Sequence, residues 1–72
     1  MGSKYPVLKP RDIIKAIDAL GFKFISQRGS HAKYSNGTNI TIIPMHDEVA
    51  RYTLKAILEQ ADIALDDFMK LL

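Results

Sequence analysis

Seventy-two residues carrying a net charge of +2, 47% hydrophobic and 25% charged, describe one small folding domain rather than a disordered chain. The absence of cysteine excludes disulfides and thiolate metal sites, and no apolar run approaches the roughly 18 residues of a membrane span. The expectation is a soluble, cytoplasmic protein, with residues 1–3 (Met-Gly-Ser) read as a vector remnant and residues 4–72 as a single domain.

The stretch KPRDIIKAIDALGF carries helix start and stop signals. Pro10 suits the first helical position, where a missing N–H costs nothing, and Asp12 suits the positive N-terminal end. Ile13, Ala16, Ile17 and Leu20 recur at i, i+3, i+4 and i+7 as one apolar stripe, and Gly21 supplies a left-handed stop.

FKFISQR, HAKYS and NITII follow, short and rich in aromatic and β-branched residues. Gly29-Ser30 fits a type II′ hairpin loop, which takes glycine first, and Asn36-Gly37 fits a two-residue type I′ loop. The three segments read as an antiparallel meander closed by Pro44. TLKAILEQA is then helical, with Thr53 as N-cap and Leu54, Ile57, Leu58 and Ala61 on one face. ALDDFMKLL repeats the pattern with Leu65, Phe68, Met69 and Leu72, and Asp66 and Asp67 lie in its first turn. These stripes are read as core. The fold class is α+β, in the order α-β-β-β-α(-α), with a three-stranded antiparallel sheet.

Two or three amphipathic helices can cover one face of such a sheet and leave the other open. A two-residue Gly29-Ser30 loop sets Arg28 opposite His31 and Ser26 opposite Lys33, all on one side, while Ile25, Ala32 and Tyr34 point the other way. The apolar set goes to the helices, so Arg28, His31 and Lys33 belong to the open face. The Asn36-Gly37 loop also puts Ile40 and Ile42 on that face and buries Thr41 and Ile43. Either a bulge shifts this register, or the open face carries an apolar strip beside its basic patch; the strip is the preferred reading, since it would suit docking of a partner protein.

Charge is unevenly spread along the chain. Residues 1–43 hold seven Lys and Arg against two Asp, and residues 44–72 hold three against six Asp and Glu. A basic half can attract polyphosphate. An imidazole between Lys33 and Arg28 offers phosphate contacts and a titrating group together, which is enough to cleave RNA without a metal. The ribose 2′-OH is an internal nucleophile, and histidine has the unperturbed pKa nearest neutrality. His46, in PMHDE, is the other histidine and a possible auxiliary acid. The plainer reading, a surface histidine in a turn, stands beside this one. His46 and Asp47 form only the beginning of a metal site, with no third ligand evident.

DIIKAIDALGF, RGSHAKY, TIIPMH and TLKAILEQADI together resemble the HicA toxins, mRNA interferases of toxin–antitoxin pairs, from about Pro10 to the C-terminus. Gly-Ser-His followed two residues later by an aromatic is the most specific element, and Pro-X-His the second. The resemblance implies a fold like the double-stranded-RNA-binding domain and cleavage of mRNA with no cofactor or metal. It also implies His31 as catalytic residue, and a HicB-type antitoxin covering the active face. Arg28, Lys33, Ser30, Gly29 and Lys23 are the candidate RNA contacts, Gly29 and Ser30 also forming the turn that presents the histidine. Many relatives carry glycine where Tyr52 and Asp62 stand, and a serine-type cap where Ala64 stands. The alternative is a non-catalytic RNA-binding or protein-interaction module of the same fold. A metal-dependent hydrolase using His46 and Asp47 is a third reading.

Overall fold

The computed structural model describes residues 4–72, so the reading of residues 1–3 as a vector remnant lies outside the described residues. Helix α1 (Pro10–Asp18) leads into strands β1 (Lys23–Arg28), β2 (His31–Ser35) and β3 (Ile40–Pro44), then helices α2 (Arg51–Ala61) and α3 (Leu65–Met69). The strands form one antiparallel sheet in the order β1-β2-β3. This is the α+β arrangement expected from the sequence, with helices on one face of an open sheet.

Helix α1 starts with Pro10 in its first turn and ends where Gly21 takes φ +89°. There the Phe22 N–H donates to the Ile17 carbonyl at 3.1 Å and the Gly21 N–H to the Asp18 carbonyl at 3.0 Å. This double closure satisfies the last carbonyls and folds Phe22 back beside Ile17, both buried. Ile13, Ala16 and Ile17 from α1 meet Leu54, Ile57, Leu58 and Ala61 from α2, together with Ile43 and Phe68. Burying each such aliphatic side chain contributes about 1.5–3 kcal/mol, and this shared core is what presses the helices onto β3.

Several expectations are corrected. Leu20, Met69 and Leu72 are exposed rather than core; Leu71, one residue round from Leu72, packs on the core instead. Thr53 does not cap α2. The helix begins three residues earlier, with Ala50 at the N-cap in an extended conformation and no side-chain cap bond. The cause is tertiary: Val49 bridges Leu8, its N–H donating to the Leu8 carbonyl at 2.7 Å, and that pairing holds the chain extended up to Ala50. At the other end of α2, Asp62 adopts the left-handed conformation at φ 57°, the position where a glycine is the usual occupant.

The loop between β2 and β3 spans four residues, 36–39, rather than two, with Ser35 paired to Ile40. The Asn36 carboxamide oxygen accepts from the Thr38 and Asn39 N–H groups at 2.9 and 2.7 Å, a local cap that stabilises the wider turn. The register moves by two residues, and because strand faces alternate with period two, the faces are unchanged. Thr41 and Ile43 are buried, while Ile40 is 55% exposed.

Ile25 is not beneath the helices. A β-bulge between Phe24 and Ser26 leaves it as the extra residue, and it is 55% exposed. Every residue of β1 is exposed, because the helices gather over β3 and stop short of β1. Even Phe24, on the helix side by its pairing with Tyr34, has only an edge-to-face contact with that ring, at 5.7 Å.

Candidate functional site

The β1–β2 turn builds the site from local chemistry. Gly29 takes φ +59° while Ser30 stays at negative φ, the pattern a type II′ loop requires. The Gln27 side-chain amide donates to the Gly29 carbonyl at 3.0 Å and steadies the turn. Arg28 pairs with His31 and Ser26 with Lys33 across the strands, the register anticipated from the two-residue loop. His31 is exposed on the uncovered face.

Ser26, Arg28, His31, Lys33 and Ile42 line a shallow hollow of about 300 Å³. Among the described residues the ion pair formed is Lys23–Asp18, at 2.8 Å, so Arg28 and Lys33 keep their charges uncommitted. Lys23 is not brought to this hollow. It pairs with Ser35 at the far end of β1, about 15 Å along the strand from Arg28 at ordinary strand rise. Its pairing with Asp18 is exposed on both sides and worth little.

A second hollow, of about 330 Å³, adjoins the first and shares His31 and Ile42 with it. It runs over the edge of β3 past Pro44 to His46 and to Thr53 and Gln60 of α2. His31 is the residue opposite Pro44, and the Met45 N–H donates to the Ser30 carbonyl at 2.6 Å. That bond holds the chain after β3 against the hairpin turn and brings His46 into the same hollow as His31.

The α2 wall is fixed by an unusual buried polar residue. The Thr41 hydroxyl lies 2.9 Å from the Ile57 carbonyl and 3.1 Å from Gln60 Oε1, its single proton serving either acceptor. Gln60 Oε1 also accepts from the Ile42 N–H at 3.0 Å, closing the outer edge of β3. Sequence reasoning missed the α2 wall. Its signal was available: Thr53, Ala56, Ile57 and Gln60 fall at i, i+3, i+4 and i+7, a second stripe beside the buried one.

His46 and Asp47 gain no third ligand, since no group of three His, Cys, Asp or Glu side chains suited to a metal occurs among the described residues. Nor does any helix among them have the length and apolarity to cross a membrane.

A sheet with helices on one side and a basic, imidazole-bearing surface on the other defines a small α+β domain of the α-β-β-β-α class. A family model described as HicA toxin of bacterial toxin–antitoxin matches residues 10–63, three quarters of the chain, and the protein belongs to that family. It is thus the toxin of a toxin–antitoxin pair, with an antitoxin as its partner. No curated protein matches the sequence.

Proposed function

We propose that this toxin is a metal-independent endoribonuclease that cleaves mRNA, with His31 as its catalytic base. The observation that carries the reading is an exposed imidazole on an uncovered sheet face, in one hollow with two uncommitted cations, Arg28 and Lys33. His31 takes the proton of a ribose 2′-hydroxyl. The 2′-oxygen then bonds to the adjacent phosphorus, and the phosphorus–5′-oxygen bond breaks. The products are a 2′,3′-cyclic phosphate and a 5′-hydroxyl end. Arg28 and Lys33 stabilise the charge that grows on the phosphoryl oxygens, as fixed cations near a reacting phosphate do. Gly29 and Ser30 present the imidazole through their turn, and Lys23 contacts the RNA backbone further along the strand. Because mRNA is the substrate, the cytoplasm is the place of action.

A HicB-type antitoxin neutralises the toxin by covering the same face. Ile40, 55% exposed, and the half-buried Ile42 support this as an apolar strip next to the basic patch.

Replacing His31 with Ala tests the reading. The side chain is exposed, so the variant is expected to fold, and cleavage of mRNA in EDTA should fall by about 10²–10⁴-fold, the usual worth of a positioned base. RNA that is shifted in mobility but intact in length with the unaltered protein would instead identify a binding module. Activity lost in EDTA and restored by a divalent cation would identify a metal-dependent hydrolase.

A further inference from the structure

From the hollow that crosses the β3 edge we infer that His46 is a second catalytic residue, the proton donor to the departing 5′-oxygen. The inference rests on the endoribonuclease reading and extends it. Cleavage by a base alone leaves an alkoxide with no proton source but water, so a second titrating group near the first is what the chemistry lacks. Residues along the hollow wall other than the two imidazoles are aliphatic, hydroxyl or carboxamide side chains, none of which titrates near neutrality.

The placement is built by the backbone. Pro44 ends β3 opposite His31, and the Met45 N–H is tied to the Ser30 carbonyl at 2.6 Å. His46 follows immediately and is exposed into the same space of about 330 Å³. That volume lies at the small end of ligand clefts, about 300–1,000 Å³, and accommodates a phosphate with its flanking sugar atoms. No third His, Asp or Glu side chain joins the two imidazoles to make a metal site among the described residues. Proton transfer is the use to which such a pair is suited.

The step balances with the two histidines together. Neutral His31 accepts the 2′-OH proton and becomes imidazolium as the 2′-oxygen–phosphorus bond forms. Protonated His46 gives its proton to the 5′-oxygen as the phosphorus–oxygen bond breaks, and becomes neutral. Proton exchange with water resets both groups.

The test compares two substrates with one protein. One is an RNA of natural linkage; the other carries sulfur in place of the bridging 5′-oxygen at the cleaved position. A thiolate leaves without protonation, since a thiol is a far stronger acid than an alcohol or water. His46→Gln and His46→Ala should slow cleavage of the natural RNA by about 10²-fold or more and leave cleavage of the sulfur-bridged RNA near the unaltered rate. His31→Ala should be slow on both. Natural RNA cut at the unaltered rate by both His46 variants would overturn the proposal, as would equal slowing on both substrates, which marks a positioning role. Cleavage of neither substrate by the unaltered protein would instead sink the endoribonuclease reading.

Discussion

The two edges of the sheet are finished in opposite ways. On β3, Thr41 and Ile43 are buried, Gln60 closes the Ile42 N–H, and α2 lies alongside. On β1, no residue is buried, a bulge interrupts the pairing, and Phe24 and Ile25 stand largely in solvent. The difference teaches where the fold spends its apolar side chains. A domain this small has core enough to fasten one side of its sheet. The hairpin bearing His31 projects from that fastened side, so side chains on its open face are free to serve chemistry.

Substitutions should separate the two edges, and the covered edge is where they should cost most. Ile43→Ala empties a fully buried position between sheet and helices and is expected to lose about 2–5 kcal/mol, read from the denaturant midpoint. A loss under about 1 kcal/mol would mean that β3 does not carry the core. Thr41→Val keeps shape but removes the hydroxyl that joins β3 to the Ile57 carbonyl and Gln60, at a cost of about 1–3 kcal/mol. Because Gln60 walls the hollow, this variant should also lower cleavage while leaving His31 and His46 in place.

At the bare edge the same chemistry should matter little. Phe24→Ser removes an aromatic ring that is 55% exposed, and stability should move by no more than about 0.5 kcal/mol. A midpoint displaced as far as that of Ile43→Ala would erase the contrast between the edges.

The smallest effect belongs to Tyr34, which lies between the two regimes. Burial first, and the Asp18 carboxylate second, raise its phenol above the ordinary value of 10.0. The folded state therefore favours the neutral ring, and the unfolded chain gives up this proton first as pH rises. The contribution is whole below pH 10 and is lost as pH climbs through the raised folded value. Unfolding midpoints measured from neutral pH to strong alkali should fall more steeply for the unaltered protein than for Tyr34→Phe. Parallel curves would show that the ring is not desolvated.

Much of this architecture is legible in the amino-acid sequence. Pro10 and Gly21 bracketed the first helix, and Gly29 with Ser30 set the turn that pairs Arg28 with His31. The buried stripe of α2 was visible in Leu54, Ile57, Leu58 and Ala61. The open face survived an error in the second loop because a shift of two residues preserves strand parity. The bulge at Ile25 was not legible, and neither was the start of α2, where the Leu8–Val49 bridge overrules the capping preference of Thr53.

The chain by itself determined the elements, their order and the side of the sheet on which His31 stands. Those features follow from glycine conformations, side-chain periodicity and turn chemistry acting within a few residues. Only the tertiary structure decided that β1 stays bare, that Gln60 of α2 closes the edge of β3, and that His46 shares a hollow with His31. Each of these depends on segments far apart in the chain reaching a common packing optimum, and no local preference carries that information.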